Sequence, residues 1–223
     1  MRKRVLQLST LTVVTLGAMA FSRGGWAIIT VDDLPSTLSV GQPTRIAFTV
    51  RQHGMTPLDR LTPTLVATSD VRGSAAINAS AVPTGTPGHY AATLVVPRSG
   101  DWTVTINSGF NSSRVTLYPI PATATPATMP RAEPSDVGRR LFVAKGCVTC
   151  HVHDGVSGNN SINVGPDLTP KRYQADYLTK LLADPSIART AGTQARMPNL
   201  GLKTPEIAAL VAFINLDRQA TTR

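Results

Sequence analysis

The pentapeptide Cys147-Val148-Thr149-Cys150-His151 constrains this chain more than any other feature, because it holds both cysteines of the sequence. Two thiols three residues apart, followed at once by an imidazole, have the spacing of a C-x-x-C-H haem attachment motif. In that chemistry the two sulfurs add to the haem vinyl groups and the histidine ligates the iron. The pentapeptide therefore predicts one covalently attached haem c, with Cys147 and Cys150 as attachment points and His151 as an iron ligand.

Three other uses of a C-x-x-C pair are open to such a sequence. A thioredoxin-like redox pair requires a preceding strand and a βαβ context, whereas the residues before Cys147 have a helical pattern. A zinc site requires further Cys or His ligands at matching spacing, and the sequence contains no second pair. A disulfide between Cys147 and Cys150 would close a very small loop and stabilise the fold little. All three alternatives are weaker than haem attachment.

The second axial position of an electron-transfer haem is usually filled by Met or His. Met197 is the one methionine after His151 in the sequence, and Pro198 restricts it to extended backbone, which suits a ligand presented by a loop. The alternative for Met197 is a gap-filling role in the core. His153 lies too close to His151 to reach the opposite face of the same haem, so we expect a solvated side chain there. These arguments favour Met197 as the second iron ligand.

Helical patterns surround the motif. The first begins at Ser135, and the last begins at Thr204-Pro205-Glu206, where an N-cap residue, a proline and a carboxylate mark a helix start. Another helix is predicted between them, from Tyr173 to Leu182. Gly138 within the first helix costs about 1 kcal/mol relative to alanine. A close crossing with another helix would explain that cost.

Residues 135–218 resemble the domain of class I c-type cytochromes. The matching elements are Gly138 with Phe142, the CVTCH motif, Gly165-Pro166-Asp167-Leu168-Thr169, Arg196-Met197-Pro198, and the terminal helix from Thr204 with Phe213. The resemblance implies an all-α cytochrome c fold over residues 135–223, in which the first and last helices cross at Gly138 and the two phenylalanines. It also implies that the carbonyl of Pro166 accepts a hydrogen bond from the proximal imidazole, which fixes the ring and raises its basicity.

The first 27 residues predict a targeting segment. Met1-Arg2-Lys3-Arg4 precedes an apolar stretch from Val5 to Ala20, with Ala18-Met19-Ala20 and Gly25-Trp26-Ala27 as candidate cleavage sites. The stretch is short for a membrane span, so we favour a cleaved signal peptide over a retained N-terminal anchor. Both interpretations place the body of the protein outside the cytoplasm, in the periplasm or at the outer face of the cytoplasmic membrane.

Residues 28–118 alternate between apolar and polar side chains, which predicts half-buried strands. Several short strands separated by turn signals favour an all-β, immunoglobulin-like sandwich. This region also resembles, more loosely, the YtkA-like and FixH-like extracytoplasmic modules. That resemblance rests on the segments Phe48-Thr49-Val50-Arg51-Gln52-His53-Gly54, Gly88-His89-Tyr90 and Gly100-Asp101-Trp102. We carry no function across from it.

Residues 119–134 contain prolines among alanines and threonines, which predicts a semi-rigid, extended linker between the two domains. At about 3.1 Å per residue, such a linker could separate the domains by up to roughly 50 Å.

The charge of the chain limits which partners it can bind. The chain has a formal net charge of +9, but its basic residues are scattered and aromatic residues are few, which disfavours nucleic-acid binding. Lys145, Lys171, Arg172 and Arg196 would surround the haem in a cytochrome c fold, where a basic rim steers docking to acidic redox proteins. A solvated surface of mixed charge is the alternative.

These observations predict an extracytoplasmic monohaem c-type cytochrome rather than an enzyme. We expect it to transfer single electrons between redox partners, such as a membrane-associated respiratory complex, with the β-sandwich as a docking module. A membrane surface or anchor is a further candidate partner. One alternative is a haem-containing gas sensor or enzyme subunit, which requires a labile sixth iron position. Another is a copper-delivery or oxidase-assembly module, since His53, Met55 and His89 are suitable copper ligands.

Overall fold

A computed structural model describes residues 24–124, 132–156, 161–169, 172–188 and 196–216. The predicted targeting segment up to residue 23 lies outside these ranges, as does part of the predicted linker. No helix within them combines the length and the apolar character needed to cross a membrane.

The N-terminal region consists of two β-sheets. The strands are β1 (Ala27–Val31), β2 (Leu38–Ser39), β3 (Pro43–Gln52), β4 (Thr56–Pro57), β5 (Thr64–Ser69), β6 (Ile77–Ser80), β7 (Val82–Pro83), β8 (His89–Val95), β9 (Gly100–Asn107), β10 (Arg114–Thr116) and β11 (Ile120–Thr123). One sheet has the order β1-β3-β8-β7, with β4 also paired to β3. The other has the order β2-β11-β9-β5-β6, with β10 also paired to β9. All pairs are antiparallel except β2 with β11.

Alternating side chains of both sheets form the core. Phe48 of β3 and Tyr90 of β8 belong to one sheet and stack with ring centroids 6.2 Å apart, while Trp102 of β9 comes from the other sheet. All three are almost completely buried. The predicted period-two pattern is confirmed, because the inward positions are the ones that the sequence marks as apolar. The region is an all-β sandwich of the immunoglobulin-like kind, as predicted.

The first residues of the predicted linker belong to the second sheet in the structure. Ile120–Thr123 form β11, which pairs with β9 and β2 inside the second sheet. Ile120 and Ala122 are buried, so burial of these apolar residues outweighs the preference of the surrounding prolines for an extended spacer. The prediction that the linker starts at residue 119 is therefore wrong at its N-terminal end.

The C-terminal region is helical. Its elements are α1 (Pro134–Ala144), α2 (Cys147–Cys150), α3 (Ala175–Ala183), a short 3₁₀ helix (Pro185–Ile187) and α4 (Thr204–Ile214). Helix α1 begins one residue before the predicted start at Ser135, because Pro134 occupies the first turn, where its missing N–H costs nothing. At the start of α4 the Lys203 N–H donates to Glu206 Oε2 over 2.8 Å.

Helices α1 and α4 cross at Gly138, as predicted. A Cβ added at Gly138 would overlap the carbonyl oxygen of Ala209 and would lie 2.7 Å from Phe213 Cβ. Beside this contact, Phe142 and Phe213 pack edge to face with centroids 5.5 Å apart. Glycine is therefore required where the two backbones meet, and its cost in helix propensity is offset by the close packing.

Contacts join the sandwich to the helical region. The Tyr118 hydroxyl donates to Gly155 O over 3.1 Å, and the Arg139 guanidinium lies 5.2 Å from the centre of the Tyr118 ring. Lys145 Nζ donates to Asp32 O at the end of β1 over 2.7 Å. The two regions therefore pack directly against each other instead of standing apart on an extended tether.

Candidate haem site

Gly146 sets the start of the cysteine motif. Its φ of 81° is left-handed and ends α1, with the Gly146 N–H donating to Val143 O over 2.9 Å. The chain then enters the single turn of α2, which spans the two cysteines. Residues three apart in a helical turn lie on one side of it. Cys147 and Cys150 are thus presented together, and both are free thiols.

The pKa values of both thiols are raised. Burial raises the pKa of Cys147 to about 12 and that of Cys150 to about 11. A reactive redox pair needs a thiolate and a lowered pKa, and α1 rather than a strand precedes the motif. Both observations argue against the thioredoxin-like alternative.

His151 is oriented by a backbone carbonyl. Its Nδ1 lies 2.9 Å from Pro166 O, and a carbonyl can only accept, so Nδ1 carries the proton in this contact. The other ring nitrogen, Nε2, then has its lone pair available for a metal. Burial lowers the pKa of His151, while the bond to Pro166 opposes that shift. The neutral imidazole, which is the metal-binding form, is therefore favoured.

Gly165 forms a cradle for this ring. A Cβ added there would lie 2.5 Å from His151 Cε1 and 2.6 Å from Nδ1, so any side chain would displace the imidazole. The Gly165 N–H donates to Cys150 O over 2.9 Å, which ties the loop to the end of α2. The carbonyl of Pro166, the flat surface at Gly165 and the two thiols thus fit the needs of a covalently attached haem.

Met197 lies on the loop before α4. Its side chain is half-buried and packs against the apolar core, and the following Pro198 is buried. The two predicted ligand segments are thus separate: His151 follows α2, and Met197 comes from the segment that leads into α4. Met197 as the second iron ligand stays a prediction.

His153 is not solvated, so that prediction is wrong. It is only 6% exposed, and its ring centroid lies 4.3 Å from that of Phe213 and 5.9 Å from that of Phe142. The Gly155 N–H donates to its Nδ1 over 3.1 Å. Apolar packing between the crossed helices, together with this hydrogen bond, therefore outweighs hydration of the imidazole.

One residue of the predicted basic rim, Lys145, is buried in the structure. Lys145 is 4% exposed and pairs with Glu206 Oε1 at 2.8 Å, so it contributes little to a surface field. Arg172 and Arg196 are exposed, and Lys171 lies outside the described residues. Lys145 is an internal cation that links α1 to α4 and to β1, because its ammonium group satisfies two acceptors there.

The residues of the copper alternative have separate surroundings. His53 packs against Trp26 with centroids 5.2 Å apart, and Met55 is 55% exposed. His89 Nε2 lies 2.6 Å from Asp32 Oδ2, and its Nδ1 contacts the Thr84 hydroxyl. Within the described ranges, no group of three or more His, Cys, Asp and Glu side chains could hold a metal ion.

Sequence reasoning missed two features of this region. The cradling role of Gly165 is visible in sequence only as the residue before Pro166. The burial of Lys145 has no local signal, because it depends on Glu206 in α4 and on the end of β1.

Comparisons with known proteins agree with the geometry. The family model for cytochrome c matches residues 135–216. No protein of curated function matches the chain.

Some solved structures resemble the chain only distantly. The Lin-41 filamin domain has a TM-score of 0.35 and 15% identity, covering 44% of this chain and 93% of its own. The superoxide reductase (neelaredoxin) from Ignicoccus hospitalis has a TM-score of 0.31 and 13% identity, covering 43% and 80%. The ZirS C-terminal domain has a TM-score of 0.31 and 11% identity, covering 55% and 83%. These likenesses carry no inference about function, and the FixH-like resemblance stays a prediction.

The family match covers the helices, the cysteine motif, the Pro166 contact and the loop of Met197. The same residues offer two thiols on one turn and an imidazole with a free nitrogen, which is the donor set for haem attachment. Residues 135–216 therefore form a domain that matches the cytochrome c family, a domain that implies covalently bound haem c, and they follow an immunoglobulin-like β-sandwich.

Proposed function

We propose that this protein is an extracytoplasmic monohaem c-type cytochrome that passes single electrons between redox protein partners. A haem c electron-carrying role follows from the cytochrome c domain at residues 135–216. The proposal depends most on His151, which directly follows the cysteine pair. Its Nδ1 is hydrogen-bonded to Pro166 O. This hydrogen bond prepares one ring nitrogen for iron and fixes the direction of its lone pair.

Each residue of the site has a role in this proposal. Cys147 and Cys150 would hold the haem through thioether bonds, and His151 and Met197 would bind its iron. When bound, the haem iron supplies a one-electron couple. Pro166 and Gly165 restrict rotation of the imidazole, so the ring is held ready to bind the iron. A thioether ligand from Met197 would raise the reduction potential of the bound haem.

The proposed location is supported by the N-terminal segment, and the proposed partners are supported by exposed charge near the haem domain. The basic, apolar N-terminal segment favours export, and haem attachment of this type fits an extracytoplasmic domain. Arg172 and Arg196 are exposed cations on the two loops that flank α3, which favours acidic redox partners with salt-dependent docking. We assign docking onto a membrane-associated respiratory complex to the β-sandwich.

Carbon monoxide and a reductive titration test the electron-carrier role. With both axial positions filled, the reduced protein has no vacant iron site, so we expect very slow carbon monoxide binding and uptake of one electron per chain. The Met197→Ala variant, which has an open position, is the positive control and should bind carbon monoxide rapidly. Equally rapid binding by the wild-type protein would instead favour a gas sensor or an enzyme subunit.

A further inference from the structure

Strand β1 is buried on both of its faces, although it lies at the edge of its sheet. Ala27, Ile29 and Val31 belong to the apolar core of the sandwich. Because side chains alternate along a strand, Ile28 and Thr30 face the other way, toward the helical domain. The Thr30 hydroxyl oxygen accordingly lies 3.5 Å from Lys145 O. The helical domain therefore covers this face of the sheet.

Ile28 contacts two glycine turns at once. A Cβ added at Gly54, in the turn between β3 and β4, would lie 2.9 Å from Ile28 Cδ1. A Cβ added at Gly146 would lie 2.5 Å from Ile28 Cγ2 and 2.7 Å from Ile29 O. Gly146 directly precedes Cys147, so Ile28 packs against the entrance of the haem motif.

The turn at Gly54 also reaches the loop of the second ligand. The same added Cβ would lie 2.9 Å from Pro198 Cγ, and Pro198 is buried and follows Met197 directly. The sandwich thus contacts the residue before the first cysteine and the residue after the predicted sulfur ligand. Its Ile28–Gly54 corner spans the distance between the two ligand segments.

Polar contacts hold this corner in place. Lys145 Nζ donates to Asp32 O over 2.7 Å and pairs with Glu206 at 2.8 Å. Lys203, at the start of α4, pairs with Asp33. These contacts attach the end of β1 to both crossed helices, on the same side as the Ile28 contacts with Gly146. The packing of the corner is therefore fixed with respect to the haem motif.

We propose that the β-sandwich positions both axial-ligand segments of the haem, with Ile28 and the Gly54 turn as the positioning residues. This inference rests on the proposed ligation by His151 and Met197. The corner holds Pro198, and with it Met197, at a fixed distance from the α2 turn that bears the cysteines and His151. Loss of these contacts leaves the Met197 loop less restrained, so an external ligand displaces the methionine more easily.

Adjacent residues of β1 provide the test in the full-length haem protein. Ile28→Ala removes the side chain that contacts the ligand segments, whereas Ile29→Ala removes an equally buried side chain from the sandwich core. Because an isoleucine-to-alanine truncation removes much packing, we expect imidazole to displace the sulfur ligand of the oxidised Ile28→Ala protein roughly tenfold faster than in wild type. The readout is loss of the near-infrared sulfur-to-iron band in stopped flow, and Ile29→Ala should keep the wild-type rate.

A second pair of variants tests the same inference without shortening a buried side chain. Gly54 and Gly41 have similar positive φ values of 74° and 72°, but nothing lies within 4 Å of a Cβ added at Gly41. Both alanine variants share the left-handed strain, and only Gly54→Ala displaces Pro198. We expect faster imidazole binding and a shifted reduction potential in Gly54→Ala alone.

The outcomes separate this inference from the proposed function. A wild-type protein without the sulfur-to-iron band would overturn the ligand assignment, and with it this inference. If the wild-type protein has the sulfur-to-iron band but imidazole binds equally fast to the two variants of each pair, this inference is overturned and the ligand assignment stands. If Ile28→Ala does not fold, Ile28→Val and the Gly54 pair decide by the same rates.

Discussion

Replacement of Met197 by alanine is expected to abolish the near-infrared sulfur-to-iron band of the oxidised protein. The thioether is the proposed ligand opposite His151, and thioether sulfur favours ferrous iron. We therefore expect the reduction potential to fall by roughly 0.1 V or more, since axial ligands set haem potentials over a range of about 0.8 V. Optical spectra and a potentiometric titration measure both effects.

Met129→Ala is the matched control for this prediction. Met129 belongs to the proline-rich segment that precedes the haem domain in the sequence, so its loss should change neither the band nor the potential. Survival of the band in Met197→Ala would show that another group ligates the iron. His153 is a poor replacement, because its ring is packed between Phe142 and Phe213.

Replacement of Gly138 by alanine is expected to destabilise the helical domain by about 3 kcal/mol, or to prevent its folding. The added Cβ would overlap Ala209 O, would lie 2.6 Å from Ala209 C and would lie 2.7 Å from Phe213 Cβ. Two of these atoms are backbone, so relief requires separation of α1 from α4. The gain of about 1 kcal/mol in helix propensity does not compensate. Urea unfolding followed by circular dichroism measures the change.

Val137→Ala provides the control in the same helix. Val137 is partly exposed, and surface substitutions change stability by about 0.5 kcal/mol or less. A Gly138→Ala protein as stable as wild type would contradict the close contact between the helices.

The features predicted best from sequence are those encoded locally. The alternation through Ile46, Phe48 and Val50 predicts a strand with one buried face, and the structure buries all three side chains. The close contact at Gly138 could be predicted because a glycine lowers the stability of a helix. Close packing against a neighbouring helix is a reason to keep it there. The hydrogen bond between His151 and Pro166 was implied by resemblance alone, since the two residues are distant in sequence.

The features missed depend on contacts between distant parts of the chain. The apolar run of β1 shows no alternation, because one face packs on the sandwich and the other on the helical domain. His153 and Lys145 are polar residues whose burial depends on partners in α4. β11 lies in a proline-rich segment, and its pairing with β9 has no local signature. Local periodicity cannot report such contacts.

Covalent attachment of the haem is tested by the intact mass of the mature protein from its native host, measured before and after acidified acetone. We expect a polypeptide heavier by one haem, with the increment and the colour retained after extraction, because Cys147 and Cys150 are the proposed thioether attachment points. A polypeptide mass without that increment, or loss of the pigment into the acetone, would contradict covalent attachment and the electron-carrier function derived from it.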